Sequence, residues 1–172
     1  MGLKAWYDSH VMPRLITVAC GQEGIEKRRR QVVPLAQGRV FEIGCGGGLN
    51  QTLYDTRLVT SFSGIDPHEK LLDGARRRAR AKGWETDIRQ GVGEDIPFPD
   101  GSFDTVVCTY TLCSVEDPAK VLSELRRILA PRGKLLFLAP NKRLNSLKTE
   151  INKRLNGESD KIVITSWENF LS

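Results

Sequence analysis

The sequence has few of the residues that build zinc sites, and it lacks the long apolar run of a membrane span. Its 172 residues include four cysteines and two histidines, and no cysteines form a Cys-x-x-Cys pair. No apolar run approaches the roughly 20 residues that a transmembrane helix needs. The opening residues also lack the apolar centre of a signal peptide. We therefore expect reduced thiols, no bound metal and a cytoplasmic location.

Positive charge exceeds negative charge, with 26 Lys and Arg against 21 Asp and Glu, and much of the excess lies in two clusters. The clusters are residues 27–30 and residues 76–82. A solvated face of an arginine-rich helix is the favoured interpretation of each. Binding to nucleic acid or to an anionic membrane surface is the less favoured alternative. Aromatic residues are not interleaved with the clusters, so nothing indicates stacking on bases.

Strand-like and helix-like segments alternate between residues 39 and 139. This alternation predicts an α/β fold with a mainly parallel sheet of five to six strands. A helix is expected at 23–33, ended by Pro34, a short one near Asn50 and another around residues 71–79. The expected strands are 39–43, 59–65, 86–90, 103–109 and 134–139, with a short sixth at 162–165.

The clearest sequence signals of a helix lie between residues 117 and 129. Asp117 is a favourable N-cap, and Pro118 stands where a first-turn proline is tolerated. An apolar stripe then runs from Val121 to Leu129 at helical spacing. The segment 131–133, with its proline and glycine, is expected to end this helix before the fifth strand begins.

The first expected strand runs directly into a glycine-rich turn, EIGCGGG at 42–48. Glycines there allow a backbone to approach a ligand closely. Asp66 ends the next strand about twenty residues later, which is the separation expected of a carboxylate that accepts hydrogen bonds from ribose hydroxyls. Parallel α/β sheets bind ligands at this edge.

A dinucleotide site is the natural alternative, but its Gly-x-Gly-x-x-Gly pattern is absent. Counted from Gly44, the third glycine position holds Leu49; counted from Gly46, it holds Gln51. Glu42 also argues against a diphosphate and for a ligand that carries a cationic amino group. The residues therefore favour S-adenosyl-L-methionine over NAD.

Four segments carry a resemblance to a known family: EIGCGGG (42–48), GIDP (64–67), EDIPFPDGSFD (94–104) and LRRILAPRG (125–133). They resemble the class I S-adenosylmethionine-dependent methyltransferases, and more closely the ubiquinone/menaquinone C-methyltransferase branch. The run TYTLCSV (109–115) resembles the thiol and phospholipid methyltransferase-like proteins. The resemblance covers about residues 5–139. It implies a Rossmann-like sandwich. The residues after 141 depart from the family pattern, so the C-terminal end of this sandwich is expected to be shortened.

The resemblance implies one methyltransferase domain over 1–172, with an N-terminal helical cap (1–38), a cofactor-binding core (39–139) and an atypical tail (140–172). In it Asp66 would hold the ribose hydroxyls, Glu42 would orient the amino-acid end, and Thr109 would lie near the methionine moiety. The full set of expected cofactor-binding residues is Glu42, Gly44, Cys45, Gly46, Gly48, Asp66, Pro67, Gly93, Glu94 and Thr109.

The implied reaction is methyl transfer from S-adenosylmethionine to a small or lipid-like acceptor, such as a thiol, a quinone precursor or an amine. A catalytic base is needed only if the acceptor must lose a proton; the candidates are Tyr7, His10 and Tyr110. Two alternatives stay open. One is a non-catalytic adenosylmethionine-binding or partner protein, with oligomerisation through the tail. The other is an RNA methyltransferase recruited by the arginine clusters.

Overall fold

A computed structural model describes residues 23–112, 114–139 and 162–165. In this part of the chain three helices and six strands alternate. The helices are α1 (Glu23–Val32), α2 (Glu69–Ala81) and α3 (Pro118–Ile128). The strands are β1 (Gly38–Ile43), β2 (Val59–Asp66), β3 (Glu85–Gln90), β4 (Phe103–Thr109), β5 (Leu129–Leu138) and β6 (Ile162–Thr165). Short 3-10 turns lie at Val33–Leu35 and Asn50–Thr52.

The six strands form one sheet in the order β3-β2-β1-β4-β5-β6. Every neighbouring pair is parallel. The predicted Rossmann-like α/β architecture is therefore confirmed, and so is the sixth strand at 162–165. After β3 the chain returns across β1 to start β4, so the sheet has its switch point between β1 and β4.

Apolar residues cover both faces of the sheet, as a parallel sheet requires. Side chains alternate along β1: Phe41 and Ile43 join one buried cluster, and Val40 joins the other. Residues of α3, such as Leu122 and Leu125, complete the first cluster. The C-terminal end of α1, the 3-10 turn that follows it and the inner face of α2 complete the second. This two-sided core fixes the positions of the strand ends, where the site lies.

The ends of the helices follow the sequence signals. The carboxylate of Asp117 accepts hydrogen bonds from the amides of Ala119 and Lys120, both at 3.0 Å, which caps α3. Helix α1 ends at Val32, two residues before Pro34, which lies in the following 3-10 turn.

The junction between α3 and β5 differs from the sequence prediction. The helix ends at Ile128, and β5 begins at Leu129, five residues earlier than expected. Leu129 pairs with Phe103, whereas Thr105 pairs with Lys134, so a bulge in β5 takes up the extra residues. Arg132, with φ of 63°, turns the chain within this bulge. The prediction was wrong because Leu129, which fits the helical stripe, is extended and packs on Phe103 as a strand residue.

Other boundaries shift by one residue: β1 starts at Gly38, β3 starts at Glu85, and Asp66 belongs to β2. Most of the expected N-terminal cap and most of the tail lie outside the described residues. Cys45 and Cys108 are buried free cysteines. Within the described residues, no helix combines the length and apolarity that a membrane span requires.

Candidate functional site

A cavity of about 480 Å³ lies at the carboxyl ends of the central strands, beside the switch point of the sheet. Its walls come from the ends of β1, β2 and β4, the turn after β1, the loops after β2, β3 and β4, and one residue each of α1 and α2. Nine of the ten residues expected to bind the cofactor line it: Glu42, Gly44, Cys45, Gly46, Asp66, Pro67, Gly93, Glu94 and Thr109. The sequence motifs therefore converge on one place in the fold.

The turn after β1 offers open backbone to the cavity. Gly44, with φ of 67°, begins the turn, and a Cβ there would lie 2.5 Å from Thr111 Oγ1. A Cβ on Gly46 would meet nothing nearer than Asp66 Oδ2 at 3.8 Å, and one on Gly47 would have no neighbour within 4 Å. A ligand can therefore approach the backbone at 46–47 without displacing protein atoms.

Gly48 has a different environment from the rest of the turn. It is absent from the cavity walls, and a Cβ there would lie 2.9 Å from Ala75 Cα of α2. Its φ of 82° also favours glycine. The structure thus gives Gly48 a packing role against α2, and its expected contact with the cofactor stays a prediction.

Asp66 holds the turn with one carboxylate oxygen and the start of α2 with the other. Its Oδ2 accepts a hydrogen bond from the Gly46 amide at 3.0 Å. Its Oδ1 accepts one from the His68 amide at 2.9 Å and lies 3.2 Å from His68 Nδ1. The side chain is largely buried and borders the cavity. The carboxylate is therefore held in a fixed position beside the open glycines.

Glu42 is the centre of a buried polar cluster that also contains Asn50, Tyr54 and Thr109. Its carboxylate accepts hydrogen bonds from Asn50 Nδ2 and from the Tyr54 hydroxyl, both at 2.8 Å. Asn50 Nδ2 also donates to Thr109 Oγ1 at 2.9 Å. Burial is the main cause that raises the pKa of Glu42 to about 7, and the hydrogen bond from Tyr54 opposes it. This cluster ties the end of β4 to the turn after β1.

The loop after β3 is tied to the start of α3. Glu94 Oε1 accepts hydrogen bonds from the amides of Glu116 and Asp117, at 3.0 and 3.2 Å. A Cβ on Gly93 would lie 2.5 Å from Ile43 Cδ1 and 3.0 Å from Val121 Cγ2, so a side chain at this point would have to displace the side chains of β1 and α3. The loop therefore forms a fixed wall of the cavity.

Two residues that reach the cavity differ in their chemistry. Cys45 is buried, and this burial raises the pKa of its thiol far above the usual range, so it is a weak nucleophile. Tyr110 follows β4 with φ of 59°, a conformation that non-glycine residues seldom adopt and that is frequent at functional sites. Of the three candidate bases, Tyr110 lines the cavity. Tyr7 and His10 lie outside the described residues.

Sequence reasoning missed Arg29 and Asn50. The cluster at 27–30 was expected to face solvent, but Arg29 is only 7% exposed and lines the cavity. Arg29 precedes the buried Val32 and Val33 by three and four residues, the spacing of one helix face, and this spacing could have identified it. Asn50 carried no motif, because its role depends on its contacts with Glu42 and Thr109.

The second arginine cluster is also partly used inside the fold. Arg76 pairs with Glu69 at 2.7 Å and donates to the carbonyl of Ile88 at 3.1 Å. Arg78 donates to the Gly47 carbonyl, and this hydrogen bond links α2 to the glycine turn. Arg77, Arg78 and Arg80 are exposed, whereas Arg76 is half-buried. The expectation of a wholly solvated cluster is therefore wrong for Arg76.

Comparison with known proteins shows that the chain is similar to methyltransferases. The model of the methyltransferase domain family matches residues 41–137. The thiol S-methyltransferase TMT1B of Homo sapiens is 42% identical over 106 residues, which are 59% of this chain and 43% of that protein. The phosphatidylethanolamine N-methyltransferase of Cereibacter sphaeroides is 33% identical over 118 residues, 67% of this chain and 57% of that protein.

A crystal structure of a methyltransferase has a fold similar to that of this chain. The S-adenosylmethionine-dependent methyltransferase from Mesorhizobium loti superposes with a TM-score of 0.57 and 25% identity, over 68% of this chain and 53% of that one. The chain thus spans about half the length of the relatives that it matches.

Proposed function

Because this chain belongs to the class I S-adenosylmethionine-dependent methyltransferases, we propose that it transfers a methyl group from S-adenosyl-L-methionine to a small-molecule or lipid-like acceptor. The observation that carries the proposal is the pairing of open backbone at Gly46 and Gly47 with the fixed carboxylate of Asp66, at the switch point of a parallel sheet. The family's cofactor is S-adenosyl-L-methionine.

The residues around the cavity fit this cofactor. A cavity of about 480 Å³ falls within the ~300–1,000 Å³ typical of small-molecule sites. Glu42 and Asp66 border it and favour a ligand with positive charge, which a sulfonium and an ammonium group both supply. The buried Oδ1 of Asn50 has no hydrogen-bond partner in the described part of the chain, so it is available to a donor on a ligand.

We assign the residues to parts of the cofactor as follows. Asp66 accepts hydrogen bonds from the ribose hydroxyls, while Pro67, Gly93 and Glu94 border the adenine. Gly44, Cys45, Gly46 and Gly48 belong to the turn below the ribose and methionine portions, and Gly48 acts there by packing against α2. Glu42 and Thr109, with Asn50 between them, lie at the amino-acid end.

The bound cofactor supplies an activated methyl group on a sulfonium. The chain's own residues have to hold that group in line with the acceptor atom and keep water away from it. Four described residues line the cavity after β4: Tyr110, Thr111, Ser114 and Val115. We propose that they contact the acceptor. Tyr110 is the described candidate for removing a proton from an acceptor; Tyr7 and His10 remain candidates.

The acceptor is proposed as a thiol, a quinone precursor or an amine. The thiol and phosphatidylethanolamine methyltransferases among the relatives support a small or lipid-like acceptor. RNA is less well supported, because Arg29 is buried and Arg76 donates to the carbonyl of Ile88, so neither is free to form part of a basic surface.

The proposal is tested by incubating the purified chain with S-adenosylmethionine and a panel of thiols, quinols and lipid amines. We expect S-adenosylhomocysteine to form with at least one class of acceptor. Asp66→Asn should reduce the rate about 10- to 100-fold at limiting cofactor, since a charged hydrogen-bond acceptor is lost. Binding of the cofactor without turnover on any acceptor would favour the non-catalytic alternative instead.

A further inference from the structure

Arg29 is the least explained charged residue of the described structure. It lies in α1 with 7% of its surface exposed, and its Nε is buried without a hydrogen-bond partner. No carboxylate of the described residues lies within ion-pair distance of it. A buried guanidinium nitrogen without a hydrogen-bond partner in the described residues is costly, because it has lost water and gained no hydrogen bond in return. Such a residue indicates an anion that the protein binds.

The surroundings of Arg29 show which side of the cavity would hold that anion. The guanidinium lies 5.8 Å from the centre of the Tyr110 ring, directly after β4. It is also close enough to Glu42 to stabilise that carboxylate electrostatically. Among the lining residues in the described ranges, Arg29 is the sole Arg or Lys. Among the described residues, the permanent positive charge at the cavity therefore lies on its β4 side.

Asp66 lies on the other side of the switch point. It ends β2, and β1 separates β2 from β4 in the sheet. Neighbouring strands are about 4.8 Å apart, so β2 and β4 are separated by about 10 Å. A cofactor whose ribose contacts Asp66 would extend its amino-acid half across β1 toward Tyr110 and Arg29. That half carries the single anionic group of S-adenosylmethionine, its α-carboxylate.

We infer that Arg29 binds the α-carboxylate of the cofactor's amino-acid half; this assignment rests on the proposed function. The planar guanidinium can donate two parallel hydrogen bonds to a carboxylate. Glu42 and Asn50 are left to face the ammonium group of the same amino acid. Helix α1 thereby closes the methionine end of the site.

The test compares two ligands that differ only in this carboxylate. Calorimetry measures the dissociation constants of S-adenosylhomocysteine and of its decarboxylated analogue, 5′-(3-aminopropylthio)-5′-deoxyadenosine. Wild-type protein should bind S-adenosylhomocysteine about 10-fold or more tightly than the analogue, as expected for a charge-assisted pair. Arg29→Gln should remove this preference and leave the affinity for the analogue within about threefold of wild type.

Two further variants make the test specific. Arg30→Gln, which changes an exposed neighbour paired with Glu26, should keep the full preference. Arg29→Lys retains the positive charge and should keep part of the preference for S-adenosylhomocysteine. If Arg29→Gln does not fold, Arg29→Lys is measured in its place. An equal loss of affinity for both ligands would mean that Arg29 only supports the fold, and this result would overturn the assignment.

The remaining outcomes are separable. A wild-type protein that binds both ligands equally, or an Arg29→Gln variant that keeps the preference, overturns the assignment alone. In the second case, the preference must come from another residue. A folded wild-type protein that binds neither ligand overturns the proposed function as well.

Discussion

Glu42 places an ionisable carboxyl group in the centre of the fold. It is 2% exposed and accepts hydrogen bonds from Tyr54 and Asn50. Loss of water raises its pKa from 4.5 to about 7, more than those hydrogen bonds lower it. Near neutral pH the folded protein therefore contains both the protonated and the charged forms. The group that orients Asn50 and Thr109 is thus also sensitive to pH.

This pKa shift predicts how stability depends on pH. Between about pH 4.5 and 7 the folded state holds a proton on Glu42 that the unfolded state has released, so the free energy of unfolding falls as pH rises. The total loss is on the order of 3 kcal/mol. Urea unfolding at pH 5 and pH 8 should show wild type losing this much relative to Glu42→Gln. The same difference between the two proteins at both pH values would contradict the account.

The residues of the site differ in how well their roles could be predicted from the sequence. Asp66 was predictable because it ends an expected strand at a recognisable distance from the glycine turn, and such spacing depends only on the local chain. Asn50 was not, because its position depends on how the turn packs against distant strands; for Arg29 the only signal was its spacing from Val32 and Val33 on one face of α1. Charge type alone suggested a solvated Arg29, whereas helix packing buries it.

The turn after β1 is an element with two kinds of glycine. Gly47 faces open space with no neighbour within 4 Å of an added Cβ, whereas a Cβ on Gly48 would lie 2.9 Å from Ala75 Cα. Gly48 also has a positive φ, and Gly47 does not. The first glycine therefore leaves room for a ligand, and the second allows the turn to pack on α2.

A pair of alanine substitutions separates these roles. Gly48→Ala should lower the free energy of unfolding by about 1–3 kcal/mol, because of steric overlap and an unfavourable φ. Gly47→Ala should leave stability within about 0.5 kcal/mol of wild type but weaken S-adenosylhomocysteine binding. Denaturant unfolding and calorimetry on both variants measure the two effects. Unchanged affinity in a folded Gly47→Ala protein would show that no ligand approaches this backbone.

Most helices and strands could be predicted because their patterns are local. The apolar run 106–108 marked β4 as a buried strand, and Asp117 with Pro118 marked the start of α3. The start of β5 was not predictable from Pro131 and Gly133, which mark a turn but do not show that a strand continues on both sides of it. Pairing of Leu129 with Phe103, a long-range contact, decides that boundary.

At the scale of the whole molecule, the order of the strands creates the site. The strands β2, β1 and β4 bring Asp66, Glu42 and Thr109 to one edge of the sheet, although 67 residues separate Glu42 from Thr109 in the sequence. Helices on both faces hold these strands, so the polar groups are fixed before any ligand binds. We propose that residues 1–172 form a single domain around this sheet.

The turn at Gly46 and Gly47, together with Asp66, is proposed to bind an adenosyl sulfonium compound. Isothermal titration of the folded chain with S-adenosylmethionine, S-adenosylhomocysteine and NAD tests this proposal. We expect saturable one-to-one binding of the first two and none of NAD. At a ligand concentration 100 times the Kd, the free energy of unfolding should rise by about 2.7 kcal/mol. A folded protein that binds NAD, or that binds neither adenosyl compound, would show that this edge of the sheet is not an adenosylmethionine site.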